Sequence, residues 1–324
     1  MVLDNQSIIH LAGYIGGGLA MGLGAIGAAI GEGYTAASAN EAVSRNTDLS
    51  GDIFKNMLVG QAVAESASIF ALVIAILLLF MDLGNANLAK AAALMSAGLC
   101  MGLGAMGSGV GSGFPGGQAC LGIMRQPQLT GRLTTSMLIG SAVCQTPAIF
   151  AMVVALMLMF IDFSTGPVHP MAAALLGAGF STGLAAIGSG VGGGLAAGAS
   201  CQGISRQPET VGNVTTIMLV GQAVSQTPSI FGLLVSFILM FKSFPASTSL
   251  SASAALLAAG LCMGFGGIGP GVGNGMAAEA AVKWMARNVK YGAELMRTML
   301  VGQAVSQSTA IYAMVVSLVL IFVI

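Results

Sequence analysis

Four segments of the chain align without a gap over 24 residues: MLVGQAVAESASIFALVIAILLLF from Met57, MLIGSAVCQTPAIFAMVVALMLMF from Met137, MLVGQAVSQTPSIFGLLVSFILMF from Met218 and MLVGQAVSQSTAIYAMVVSLVLIF from Met299. Their starts lie 80, 81 and 81 residues apart. At about 1.5 Å per helical residue, each is long enough to cross a hydrocarbon core roughly 30 Å thick. A second apolar segment precedes each of them, with glycine recurring every second to fourth residue: GLGAIGAAIGEG from Gly22, GLGAMGSGVGSG from Gly102, GLAAIGSGVGGG from Gly183 and GFGGIGPGVGNG from Gly264. The repeating unit is therefore a helical hairpin, and four copies give eight spans. We expect an all-α membrane protein divided into hairpin 1 at 1–85, hairpin 2 at 86–165, hairpin 3 at 166–246 and hairpin 4 at 247–324. Glycine costs stability in a soluble helix, whereas in lipid it lets backbones approach closely. Such a pattern fits a general small-residue packing face as well as the curved inner wall of a ring.

Composition agrees with a bilayer as the solvent. Of 324 residues, 56% are hydrophobic and 7% charged, against about a quarter charged in soluble domains. Aromatics make up only 6%, which argues against a large aromatic-lined pocket. Eleven basic and eleven acidic residues cancel, so the chain offers no electrostatic basis for nucleic-acid binding. Cys100, Cys120, Cys144, Cys201 and Cys262 are odd in number, lack CxxC spacing and fall mostly in apolar stretches, so they read as small buried side chains. The opening MVLDNQSIIH has no Lys or Arg, and a cleaved signal peptide is not expected.

Orientation follows from the basic residues. Arg45, Lys55, Arg125, Arg132, Arg206, Lys283, Arg287, Lys290 and Arg297 lie in or beside the loops within hairpins, against Lys90 and Lys242 between hairpins. This asymmetry places the intra-hairpin loops in the cytoplasm and both termini outside. His10 and His169 then fall near the outer ends of spans, as interfacial side chains rather than ligands.

Two of the acidic residues, Glu32 and Glu65, fall deep within apolar runs, both in hairpin 1. An ionised carboxylate in lipid costs several kcal/mol unless it is neutralised, which makes each a functional candidate. No Lys or Arg lies at matching depth, so the neutralising partner is a bound ion, a proton or a basic residue of another protein. Two neighbouring carboxylates cannot both stay charged there; a protonated Glu32 can hydrogen-bond an ionised Glu65 that holds one monovalent cation. Ser66 offers a hydroxyl and Val63 a carbonyl, an oxygen-only set suited to a hard cation such as Na+. With no His or Cys in the cluster, Zn2+ is disfavoured.

The other hairpins carry Gln145, Gln226 and Gln307 where hairpin 1 has Glu65, and Ser112, Gly193 and Asn274 where it has Glu32. None of these titrates. A hydroxyl persists at Thr146, Thr227 and Ser308, as does the valine three residues earlier at Val143, Val224 and Val305. Pro147 and Pro228 lack the N–H that would bond the Val143 and Val224 carbonyls, which frees both oxygens. Two expectations stand side by side: these groups serve as ligands to a carboxylate on an adjacent hairpin, or they merely preserve packing.

The Gly-rich GAIGAAIGEG, the VGQAVAES of Val59 to Ser66, and the polar loops Arg45-Asn46, Arg125-Gln126-Pro127, Arg206-Gln207-Pro208 and Arg287-Asn288 resemble the c subunit, or proteolipid, of rotary ATP synthases and ATPases. The likeness covers essentially the whole chain, four times over, and its loops are closer to F-type than to eukaryotic V-type proteolipids. The resemblance implies a ring of these chains, which other c subunits can join, in a bacterial or archaeal cell membrane. It implies that Glu65 is the ion-carrying carboxylate, that the polar loops dock the central stalk, and that an Arg of the stator a subunit discharges the ion. In Na+-carrying members the ligands match Glu32, Val63, Glu65 and Ser66; the family's further Thr and Tyr are Ala67 and Phe70 here, and we expect Na+ ahead of H+. The chain would have no active site of its own and no cofactor beyond the transported ion.

Four hairpins sharing one carboxylate would pass fewer ions per turn than single hairpins. Each ion crossing is worth about 2.3 kcal/mol per 100 mV, so the expected rotor favours ATP-driven pumping over synthesis. The competing class is an eight-span ion or small-molecule transporter with Glu32 and Glu65 lining a path. Transporters typically show inverted repeats and broken helices at the midplane, whereas these repeats are parallel.

Overall fold

The computed structural model describes residues 5–81, 87–163, 168–245 and 249–322. The hairpin boundaries expected at 85/86, 165/166 and 246/247 lie outside the described residues. Each hairpin begins with a long inner helix: α1 Asn5–Arg45, α3 Leu88–Arg125, α6 Val168–Arg206 and α9 Leu250–Arg287. Each ends with an outer helix. In hairpins 1 and 4 it is continuous, as α2 Ser50–Phe80 and α10 Gly292–Phe322. In hairpins 2 and 3 it is broken into α4 Thr130–Cys144 and α5 Thr146–Phe160, and into α7 Val211–Ser225 and α8 Thr227–Phe241. The breaks fall at Gln145 and Gln226, two residues before Pro147 and Pro228, where the missing N–H ends the ladder. Counted with the short turns that lead into them, eight helices are long and apolar enough to cross a membrane, and the chain is a multi-pass membrane protein.

The helices outrun the apolar core. The 41 residues of α1 span about 60 Å at the α-helical rise, roughly twice the hydrocarbon thickness. Their loop-side ends therefore project beyond the bilayer, carrying the Arg45–Glu41 pair at 2.7 Å, the Lys55–Asp52 pair at 3.9 Å and the Lys283–Glu279 pair. Each polar loop is one tight turn: Asn46, Gln126, Gln207 and Asn288 leave the helical region, with φ between −151° and −138°, which stops the inner helix before a single 3-10 turn starts the outer one.

The inner helices stand in a row, α1 on α3, α3 on α6 and α6 on α9, and the outer helices of hairpins 1 to 3 fit against their own inner helix and the next. Glycine makes the row possible. A Cβ at Gly113 would lie 2.4 Å from the Gly31 backbone, one at Gly194 2.2 Å from Gly111, and one at Gly275 2.2 Å from Gly192. The glycines of successive inner helices meet backbone against backbone along the whole row. At the repeat-equivalent Gly33 of α1 nothing lies within 4 Å, and the same holds for Gly18 and Gly22. On the opposite side, Gly107 and Gly188 press on the next inner helix at Ile187 and Ile268, while their equivalent Gly269 has open space. The row thus ends in two complementary unfilled faces, on α1 and on α9.

At the inter-hairpin end, the Lys90 ammonium donates to the Met159 and Ile161 carbonyls, and that of Lys242 to Ile321. Both lysines cap the C-termini of outer helices, where the helix dipole favours a cation. Cys100, Cys120, Cys144 and Cys201 are buried thiols and Cys262 is half-buried.

Candidate ion-binding site

Glu65 stands midway along α2 and is exposed on the open edge of hairpin 1. Glu32 on α1 is half-buried and lies within electrostatic range of it. Gln61, one turn before Glu65 on α2, donates to the Glu32 carbonyl, which sets the two residues at the same level of adjoining helices.

Val63 and Ser66 are engaged elsewhere. The Ser66 hydroxyl donates to the Val63 carbonyl at 2.6 Å, and that carbonyl also accepts from Gln145 Nε2, one hairpin on, at 3.0 Å. The same Nε2 donates to Ser112 Oγ at 2.7 Å. Of the four residues grouped by sequence, Val63 meets hairpin 2 through its carbonyl, Ser66 bonds that carbonyl within α2, Glu32 is half-buried and Glu65 is exposed. The reason is the direction of packing, in which each valine carbonyl is met by side chains of the following hairpin.

The rule repeats. Gln226 Nε2 donates to the Val143 carbonyl at 2.7 Å, and Asn274 Nδ2 reaches the Val224 carbonyl at 3.4 Å and Gln307 Oε1 at 2.7 Å. The carbonyls freed by Pro147 and Pro228 are the ones so bonded. The Val143 and Val224 carbonyls thus accept from neutral amides of the following hairpin. Val305 and Ser308 differ. The Ser308 hydroxyl donates to the Val305 carbonyl at 2.7 Å, and Val305, 68% exposed, lies on the open edge of hairpin 4.

Sequence reasoning missed a second set one turn away. Gln61 Nε2 donates to the Glu32 carbonyl at 3.3 Å, Ser141 Oγ to Ser112 at 3.3 Å, Gln222 Nε2 to Gly193 at 3.0 Å and Gln303 Nε2 to Asn274 at 2.9 Å. Gln222 and Gln303 also reach back to the carbonyls of Gly140 and Gly221 at 3.0 and 3.1 Å. These side chains pin the outer helix to the inner one at the carboxylate level, which fixes the depth of Glu65 against Glu32. The visible signal was a polar residue in the same column of all four aligned segments.

Tandem hairpins around a glycine backbone wall, with one carboxylate pair at mid-depth, define a proteolipid of the rotor type. The family model for the ATP synthase C subunit matches residues 15–78, 95–158, 176–239 and 257–320, once per hairpin, and the chain belongs to that family. It is 52% identical over 79 residues to the ATP synthase c subunit of Natranaerobius thermophilus, covering 24% of this chain and 91% of the relative. Over 230 residues it is 30% identical to the A-type ATP synthase K subunit of Methanocaldococcus jannaschii, covering 71% of this chain and 96% of the relative. A third relative, the ATP synthase c subunit of Thermotoga maritima, is 42% identical over 67 residues, 21% of this chain and 79% of its own. The chain is a rotor subunit of a rotary ATPase, and c subunits of ATP synthases form rings within the complex.

Proposed function

We propose that this rotor protein carries one monovalent cation per chain, Na+, in the seam between two copies. An ionised Glu65 supplies the charge, a protonated Glu32 of the same copy hydrogen-bonds it and lends an oxygen, and the Val305 carbonyl and Ser308 hydroxyl of a second copy supply the remaining oxygens. One observation carries this reading: at each of the three internal interfaces an amide N–H donates to the valine carbonyl. Continued into the seam, the same register sets Val305 against two carboxylates, where every group is an oxygen. Something positive must stand between them, and a neutralised site is what a rotor needs to turn through lipid. The unfilled glycine faces of α1 and α9 support the same pairing, since their equivalents within the chain are packed against the preceding and the following inner helix respectively.

In the assembled enzyme, an Arg of a stator a subunit displaces the ion, the polar loops Arg45-Asn46, Arg125-Gln126-Pro127, Arg206-Gln207-Pro208 and Arg287-Asn288 meet the central stalk, and single-hairpin c subunits are admissible neighbours in the ring. The loops face the cytoplasm of a bacterial or archaeal cell and the termini face outside. The excess of basic residues in the loops supports this orientation, and Lys90 and Lys242 on the other side serve as helix caps. One carboxylate site per four hairpins biases the machine toward pumping. Protons are the second reading, favoured by Ala67 and Phe70, which offer no hydroxyl to a metal ion.

Carbodiimide labelling of Glu65 in the purified ring tests the ion. Na+ should slow labelling at constant pH; a rate that depends on pH alone would turn the assignment to H+. Glu32→Ala should weaken Na+ protection about tenfold, since one charge-assisted oxygen contact is worth roughly 1.5 kcal/mol. Glu32→Gln, which keeps an oxygen and a donor, should stay within about threefold by the same measure.

A further inference from the structure

Near the polar loops, the free edges of α1 and α9 depart from the internal interfaces at three side chains. Inside the chain, glycine closes the inner helices on one another there: a Cβ at Gly122 would lie 3.1 Å from Ser205 Cβ, and one at Gly203 2.9 Å from Ala286 Cβ, each on the following inner helix. The repeat puts Trp284, the only tryptophan of the chain, in that same column. It is 48% exposed, with the Arg287 guanidinium 4.8 Å from its ring centre. The column it would meet in a second copy begins with Ser44, which is exposed, whereas the equivalent Ser205 and Ala286 are buried. An indole does not fit where glycine packs, so two copies cannot meet here backbone to backbone. The column one residue before Trp284 reads Glu41, Leu121, Gln202 and Lys283, an acid at one end of the row and a base at the other. Residues of one column on adjacent inner helices lie within electrostatic range, as Arg125 does of Arg45 and Arg206.

We propose that the loop end of the seam is a clasp for a second copy of this chain, in which Lys283 and Trp284 of one copy close on Glu41 and Ser44 of the next. The inference rests on the seam reading and deepens it by naming the contact that orders the copies. The indole holds the two helix ends apart, and the long lysine and glutamate arms reach across a gap that glycines cannot span. Glu41 already pairs with Arg45 at 2.7 Å, and Lys283 with Glu279. Joined across the seam, the four charges run Glu279, Lys283, Glu41, Arg45, alternating in sign. Opposite charges at the two ends of the row make the contact head to tail, the arrangement that closes into a ring. Two like ends brought together would set Lys283 against Lys283 or Glu41 against Glu41, and the repulsion rejects that pairing. Pairs this exposed add little stability, so the clasp acts on the order of assembly.

Zero-length coupling with a water-soluble carbodiimide tests the clasp in rings assembled from a mixture of light and heavy-isotope full-length chains. Lys283 should be found joined to Glu41 in peptides of mixed isotope, and Glu41→Gln should remove that peptide while the link from Lys283 to Glu279 persists. Trp284 reports the same contact without any substitution, since it is the sole tryptophan. Its emission should shift to shorter wavelength, and its quenching by acrylamide should fall, when dissociated monomers assemble. Lys283 joined only to Glu279, or to a peptide of another protein, in a ring whose Glu65 is still protected by Na+ would overturn the clasp, as would a tryptophan spectrum unchanged by assembly. A mixed-isotope link in a ring without Na+ protection at Glu65 would instead uphold the clasp and refute the seam ion site.

Discussion

Glu65→Gln should abolish ion transport and leave the assembled ring intact. The side chains are nearly isosteric, and glutamine already stands in this column at Gln145, Gln226 and Gln307, where the packing accepts it. What disappears is the only charge in that column. Without it the seam has a neutral amide that bonds the facing valine carbonyl, as the internal interfaces do, and no cation is needed. Moving an unpaired charge into lipid costs about 3 kcal/mol or more, and a site that binds no ion loses the means of offsetting it. Transport in reconstituted vesicles should fall below detection, by more than about 100-fold, and carbodiimide labelling should vanish with it. Residual coupled transport would show that another group carries the ion.

Gly33→Val should leave each chain folded and prevent the ring from closing. At the equivalent Gly113 a Cβ would lie 2.4 Å from the Gly31 backbone, and neither backbone can yield. Overpacking typically costs about 1–3 kcal/mol even where side chains can move aside. Within one chain, Gly33 has open space, so the added side chain meets nothing until a second copy's α9 arrives. The expected product is a helical monomer in detergent with no oligomer on native gels. Gly113→Val, by contrast, should disrupt the chain itself, and Gly131→Ala, in open space near the start of α4, should change neither fold nor assembly.

The repeat, the eight spans and the carboxylate pair were legible because each is a property of one helix or of one aligned column. The freeing of the Val143 and Val224 carbonyls by Pro147 and Pro228 was legible, since a missing N–H is a local fact, but the breaks at Gln145 and Gln226 were not read from it. The division of ligands was not. Val63 lies two residues from Glu65, yet its carbonyl serves the next hairpin, and sequence spacing does not say on which side a neighbour packs. The polar column of Gln61, Ser141, Gln222 and Gln303 stood in plain view, but its partners are backbone carbonyls on two other helices, which no pattern of side chains announces. Lys90 and Lys242 likewise appeared as loop charges until the helix ends they cap were placed beside them.

These findings give a physical reason for a rotor with fewer sites than hairpins. Three interfaces are closed by neutral amides, and in the proposed ring the fourth, formed when two copies meet, keeps its carboxylates. The most direct test is the equilibrium binding of radioactive Na+ to the purified ring, set against the number of chains it contains. One ion bound per chain, lost when the ring is dissociated into folded monomers, is the expected result. Several ions per chain, or full binding retained by the monomer, would contradict a single site completed by a second copy.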